Sequence, residues 1–227
     1  VGGFDNYLFS PNGKIHRYLT KRSVINILHP FQPFIIGQKN FVPKLAYLFN
    51  IPLIFYGESP SDYGTKLSNT KKFSTKIEDS HPGFTQNPLS SMNTKEVKLG
   101  GDPISYHIEQ GYNINDFKPY LPLDINKIQE KKIETQFLGY YLKWIPQENF
   151  YYASKNTGFV PNPERLPGTY TKFSSIDDVV LDSFHWLMAL IKFGWGRATR
   201  EACSDIRCGH LTREEGVALV HKYDHEF

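Results

Sequence analysis

The run PLIFY at residues 52–56 constrains the fold more than any other segment. It is short and continuously apolar, and it is bounded by Asn50 and Gly57. A strand with one face in water alternates apolar and polar residues, whereas an unbroken apolar run of this length is the pattern of a strand buried on both faces of a parallel sheet. Such a strand needs helices to cover it, and the preceding residues supply them. Ile15, Tyr18, Leu19, Ile25 and Leu28 fall at helical spacing over residues 14–28. His29-Pro30 stops that helix, and Pro33 is expected to keep the next residues extended. A second helix is predicted from about Gln38 to Phe49 on the stripe Phe41, Leu45 and Leu48, with Pro43 in its first turn and Asn50 ending it. Residues 4–9 (FDNYLF) read as another strand, closed by the turn Ser10-Pro11-Asn12-Gly13. Strand, helices, strand is an α/β unit with a right-handed crossover.

The 227 residues suffice for one well-filled core, or for one core with an appended lobe. A hydrophobic content of 40% against 22% charged residues argues against disorder. The net charge of +3 is not gathered into a stripe, which argues against a nucleic-acid surface. No stretch reaches the roughly 18 apolar residues of a membrane span, and the opening VGGFD is no secretory leader. Cys203 and Cys208 make no CxxC motif, and on a helix they would lie roughly 140° apart, so they form no zinc pair. Two free thiols fit a reducing, cytoplasmic setting.

Beyond the apolar run the character changes. From about residue 59 to 130, Lys66, Lys71, Lys72, Lys76, Lys95 and Lys98 alternate with Ser, Thr, Asn and Gly. This reads as a polar insertion or lid, with short helices near residues 104–110 and 113–117. A cover for substrate and a surface excursion are both open readings. Residues 137–144 look like another strand, and 149–153 like a short helix. The last third is helical. A helix is predicted over 176–193 with Ser175 as N-cap and Asp177 and Asp178 in its first turn, another over 198–208 ended by Gly209, and a third opened by the capping box Thr212–Glu215 and running through Lys222.

Candidate site residues follow from this frame. In open α/β sheets ligands bind outside the carboxyl ends of strands, which picks out Gly57 and Glu58; an ordinary tight turn is the alternative. Lys192-Phe193-Gly194-Trp195-Gly196-Arg197 joins two helices. Its glycines leave N–H groups free, Arg197 offers a bidentate anion fork, and Lys192 adds a point charge. A helix–helix corner with a solvated arginine explains the same residues. Lys172 could meet a phosphate, and Asp177 a Mg²⁺ ion or a sugar hydroxyl, though capping alone explains Ser175, Asp177 and Asp178. His221 and His225 are spaced i, i+4, but no third ligand accompanies them, so no metal site is assigned. His185 reads as a hydrogen-bonded core histidine.

Four phrases together resemble the N-acetyl sugar amidotransferases of surface-polysaccharide biosynthesis: HPFQPFIIGQKN (29–40), NIPLIFYGESPSDYG (50–64), GTYTKFSSIDD (168–178) and IKFGWGRATREACSDIRCGHLTREEGVALVHKYD (191–224). These enzymes look like members of the PP-loop ATP pyrophosphatase class. The resemblance implies a partial Rossmann-like sheet followed by a helical C-terminal region: residues 1–60 as the C-terminal half of a PP-loop-type α/β domain, 61–135 as the insertion, and 136–227 as the helical region completing the same domain. It implies ATP and Mg²⁺, a nucleotide-linked N-acetyl sugar whose acetamido group is adenylated and then aminated to an acetamidino group, and a glutaminase subunit, with a synthase-like subunit, supplying the ammonia. Gly57, Glu58, Lys172, Lys192 and Arg197 are the positions it offers for nucleotide or substrate binding. The family's SGG-x-DS phosphate loop is not in the sequence. The expectation is therefore a fragment, inactive alone, whose loop and first two strands lie upstream of Val1. Another PP-loop activity, such as tRNA thiolation, and a non-enzymatic binding module are the alternatives.

Overall fold

Helix α1 (Gly13–Ile27) starts where Asn12 can serve its free N–H groups: Asn12 Oδ1 accepts from the Lys14 N–H at 3.0 Å and the Asn12 carbonyl from His16 N–H at 2.9 Å. The computed structural model describes residues 3–57, 97–142, 145–174 and 178–226. Helix α2 spans Gln32–Phe49 and so begins earlier than the sequence suggests. Pro33 does not hold the chain extended; it sits in the helix's first turn, where its missing N–H leaves no bond unmade, and Pro43 lies buried inside the helix. Asn50 ends α2 in the left-handed conformation (φ 53°, ψ 41°), as expected of a terminating Asn.

Strand β1 (Leu53–Tyr56) pairs in parallel with β4 (Glu134–Phe137), Leu53 opposite Glu134 and Tyr56 opposite Phe137. The parallel pairing matches the expectation, but burial on both faces does not. Ile54 and Tyr56 are buried against Ala46, Ile128 and Ile133, while Leu53 and Phe55 are 40% and 53% exposed. The described sheet has two strands and one covered face, so an unbroken apolar run here reports strand propensity rather than double burial. The expected strand over 137–144 is displaced: β4 ends at Phe137 and a short helix α5 (Leu138–Tyr141) follows. Its register is set upstream, where Ile133 and Thr135 alternate into the core. Residues 4–9 form no strand, because no described strand lies beside them to complete a ladder; Phe4 and Leu8 are 91% and 88% exposed.

Residues 97–130, placed by sequence in a polar insertion, supply much of a core. Val97, Leu99, Ile104, Phe117, Tyr120 and Leu121 pack with Ile15, Leu19 and Ile36. The hairpin of β2 (Lys98–Leu99) and β3 (Asp102–Pro103) turns at Gly100 and Gly101, both at positive φ. A Cβ on Gly100 would lie 2.7 Å from Arg22 Cβ, so this turn must be glycine to lie against α1. Helix α3 (Ile104–Glu109) and a 3₁₀ helix (Ile114–Tyr120) fall where short helices are predicted, and α4 (Ile125–Glu130) follows. His107 on α3 is fully buried. Its Nε2 faces the Leu99 carbonyl at 2.9 Å, which can only accept; Nε2 therefore carries the proton, and Nδ1 accepts from the Tyr18 hydroxyl at 2.9 Å.

The remaining helices are α6 (Pro146–Asn156), α7 (Val179–Phe193), α8 (Arg197–Cys208) and α9 (Arg213–Tyr223). Asp178 is the N-cap of α7, accepting from the N–H groups of Val180 and Leu181; Ser175 and Asp177 lie outside the described residues. Gly209 ends α8 at φ 78°, and Thr212 and Glu215 form the reciprocal box that opens α9. Helices α8 and α9 approach closely at Gly216, where a Cβ would come 2.7 Å from Ile206 Cδ1. The chain divides into two compact units, one of Phe9–Ile27 and Phe31–Trp144, the other of Val1–Leu8, Leu28–Pro30 and Ile145–Phe227. The fold is mixed α/β, mostly helical, with a small parallel sheet. No described helix is long and apolar enough to cross a membrane.

Candidate functional site

The glycine-rich corner between α7 and α8 organises the polar groups of the C-terminal unit. Gly194 closes α7 at φ 74°. Gly196 donates its N–H to Asp224 Oδ2 at 2.8 Å, and Thr199 donates its N–H to Asp224 Oδ1 at 2.9 Å and its hydroxyl to Oδ2 at 2.7 Å. A Cβ on Gly196 would sit 2.9 Å from the Asp224 carbonyl oxygen, so only glycine fits. The sequence suggests free N–H groups here for a phosphate. Instead the buried carboxylate of Asp224 fills that position, acting as the anion that the helix N-terminus favours.

Arg197, read from sequence as an anion fork, is turned inward at 2% exposure. Its Nη1 donates to Asp182 Oδ2 at 2.6 Å and its Nε to Glu201 Oε1 at 3.0 Å. Glu201 also accepts from the hydroxyls of Thr169 and Ser174, each at 2.6 Å. One turn further along, Asp205 accepts from the Tyr170 hydroxyl at 2.7 Å; burial, then that hydrogen bond, raises the Tyr170 pKa. Arg197, Glu201 and Asp205 are spaced i, i+4, i+8 on one face of α8 and hold residues 169–174 against it. The chain's end reinforces this side: Arg165 grips both carboxylate oxygens of Glu226, at 2.5 and 2.8 Å, and lies 4.5 Å from the Tyr223 ring centroid.

Between that loop and α8 lies a polar recess too tight to hold a water molecule, lined among others by Glu164, Thr171, Lys172 and Arg197. It brings together two of the residues expected from sequence. The Lys172 ammonium donates to the Pro163 carbonyl at 2.6 Å on the exposed rim, and Arg197 forms part of the floor.

Lys192 lies exposed at the end of α7, with its ammonium 5.1 Å from the Phe193 ring centroid. Gly57 is exposed at the carboxyl end of β1, in the unit that holds neither lysine; its φ is not positive and an added Cβ would meet nothing within 4 Å. Glu58 lies outside the described residues. His221 is on α9 but His225 falls beyond its end, and the described residues hold no group of three or more side chains fit for a metal ion. His185 stacks on His29 with ring centroids 5.1 Å apart, and burial, then Arg200, lowers its pKa. Sequence reasoning passed over Asp182, Glu201 and Asp224. Glu201 was findable as the i+4 partner of Arg197, and Asp182 as a lone acid inside an apolar helix. Asp224 carried no local signal.

A family model described as "LPS biosynthesis protein WbpG-like, C-terminal domain" matches residues 167–227. The match takes in the loop at 169–174, α7, the glycine corner, α8 and α9, so this stretch is similar to a domain of lipopolysaccharide biosynthesis proteins. No curated protein matches the chain.

Proposed function

We propose that the chain is part of an ATP-dependent N-acetyl sugar amidotransferase acting in lipopolysaccharide biosynthesis. The observation that carries this reading is the match of residues 167–227 to the WbpG-like C-terminal domain. The parallel pair β1–β4, with the carboxyl end of β1 open at Gly57, supports it as a remnant of a nucleotide-binding sheet of the PP-loop kind. In the proposed reaction the acetamido oxygen attacks the α-phosphorus of ATP and pyrophosphate leaves. Ammonia then adds to the activated carbon, AMP departs with the former amide oxygen, and an acetamidino group remains.

The described residues offer no cradle for the ATP phosphates. The N-terminus of α8 is filled by Asp224, and Arg197 is held by two carboxylates. They also offer no cluster for Mg²⁺. The reading therefore places both outside the described residues and gives the C-terminal unit the sugar-binding role, with Lys172 and Lys192 as its exposed cations. Gly57 and Glu58 would line the strand end, and a glutaminase subunit, with a synthase-like subunit, would deliver ammonia in the cytoplasm.

The test uses the product of the complete reading frame with ATP, ammonium and a nucleotide-linked N-acetyl sugar. Pyrophosphate release, with exchange of the sugar's amide oxygen for NH by mass spectrometry, is the expected result. Pyrophosphate release that depends on tRNA instead would assign a thiolating enzyme, and ligand binding without turnover a binding module; either outcome overturns the proposal.

A further inference from the structure

The segment GTYTKFS (168–174) carries one hydroxyl more than its attachment to α8 requires. Thr169 and Ser174 each donate to Glu201, and those two bonds fasten the segment at both ends. Thr171 lies between them and adds a third link. A hydroxyl has one proton to donate, and two lone pairs that accept. Arg197 Nε bonds to Glu201 Oε1 at 3.0 Å, so Glu201 is a carboxylate and only accepts. Thr169 and Ser174 therefore commit their protons to it. Ser174 has none left for Thr171, so in the 2.5 Å contact between the two hydroxyls Thr171 is the donor. The 3.2 Å contact of Thr171 with Thr169 is left without a proton, and Thr169 Oγ1 accepts instead from the Thr171 N–H at 3.0 Å. The hydroxyls thus point one way, from Thr171 to Ser174 to Glu201 Oε1. Thr171 is half-buried, and its oxygen accepts from no described residue. The recess that it lines is too tight for a water molecule, so a proton crosses it through the hydroxyls alone.

We propose that Thr171, Ser174 and Glu201 form a proton relay, with Thr171 as its outer end and Glu201 as the base, and that it serves the addition of ammonia to the activated acetamido carbon. The inference rests on the amidotransferase reading for the reaction; the geometry itself asks for a substrate group that gives up a proton at the Thr171 hydroxyl. Ammonia bonds to the carbon through its lone pair, which leaves its nitrogen positively charged. Until that nitrogen sheds a proton, it can leave with the bonding pair and undo the addition. The proton passes to Thr171 Oγ1 while Thr171 gives its own to Ser174, and Ser174 its own to Glu201 Oε1. The nitrogen is then committed. The C–O bond to AMP breaks, AMP leaves with the electron pair, and an acetamidinium cation remains. Glu201 releases the proton back through the same hydroxyls to solvent. A positioned base of this kind, reached directly or through one intervening group, contributes a rate factor of roughly 100 to 10,000. Glu201 meets the geometric requirement, since each step of the relay spans no more than 2.6 Å.

The experiment uses the product of the complete reading frame and separates the two steps. Exchange of labelled pyrophosphate into ATP, in the presence of the nucleotide-linked N-acetyl sugar, reports activation; formation of the acetamidino sugar from ammonium reports amination. Thr171→Val removes the hydroxyl and keeps the side chain's size. It should leave the melting temperature and the exchange unchanged and slow amination about 100-fold or more. Hydroxylamine should restore its turnover, because the nitrogen of hydroxylamine, once bonded to carbon, is acidic enough to lose its proton to water. Ser174→Ala and Glu201→Gln should show the same split. Both also loosen the loop, so Thr171→Val decides. Amination by Thr171→Val at the wild-type rate, or exchange and amination falling together, would overturn the relay. A second readout needs no turnover. In the substrate-free protein with ¹³C-labelled serine and threonine, the Ser174 hydroxyl proton should exchange slowly with solvent by NMR, and faster in Glu201→Gln; rapid exchange in the wild type also overturns the relay. A wild type with no sugar-dependent exchange fails the amidotransferase reading and takes the relay with it. An active wild type matched by Thr171→Val removes the relay alone.

Discussion

Arg197 is held where its removal would expose the charges around it. Its guanidinium compensates Asp182 and Glu201, both largely buried. A buried ion pair adds little net stability over a well-packed apolar group, but deleting one partner leaves the other uncompensated. Arg197→Met should therefore cost about 3–5 kcal/mol in urea unfolding. Loss of turnover with stability intact would instead place the guanidinium on substrate. The sequence could not separate these cases, because an Arg after two glycines looks the same whether it faces water or two acids. Its i+4 glutamate and the lone acid Asp182 inside an apolar helix were the available hints.

At the scale of elements, the helix ends were the most legible features because their signals are local. The Thr212–Glu215 box, Gly209 and Asn50 act within one turn of where they sit, and each does what its residue type demands. The strands were least legible. Residues 4–9 and 137–144 have strand-like side chains, yet a strand exists only with a neighbour, and neighbours are set by distant parts of the chain. The cap on α8 shows the same limit, since Asp224 reaches it from 28 residues away. Asp224→Ala would leave the N–H groups of Gly196 and Thr199 without their acceptor. The expected cost is about 2 kcal/mol. Thermal melts of that variant by circular dichroism should show a separate early transition that the wild type lacks; a single transition as cooperative as the wild type's would mean that Asp224 is no link between α8 and α9.

For the whole molecule, buried bases set the response to pH. Burial lowers the pKa values of His16 and His107 in one unit and of His29 and His185 in the other, His29 to about 4. Where the folded pKa lies below the unfolded one, the unfolded chain binds more protons between the two values, so stability falls as pH drops from 6.5 toward 4. Each imidazole that stays neutral contributes up to about 1.4 kcal/mol per pH unit to that slope. Carboxylates do not mimic this loss. The Arg165 hydrogen bond lowers the pKa of Glu226, and the Thr212 hydrogen bonds lower that of Glu215, from 4.5, so their stabilisation is lost only at lower pH. On the alkaline side burial brings Lys39 and Lys44 down to about 8, and the unfolded chain again holds more protons up to 10.5. Stability should climb once more from pH 8 to 10. It should then fall as tyrosines ionise in the unfolded chain, since burial pushes Tyr120 up to about 12. Urea midpoints measured from pH 4.5 to 11 should thus rise, level near neutrality, rise again and drop. His29→Gln should flatten the acid limb alone. A profile flat between pH 6.5 and 4.5, or an acid limb unchanged in His29→Gln, would mean that His29 is hydrated and charged in the folded protein, and the packing described around it would be wrong.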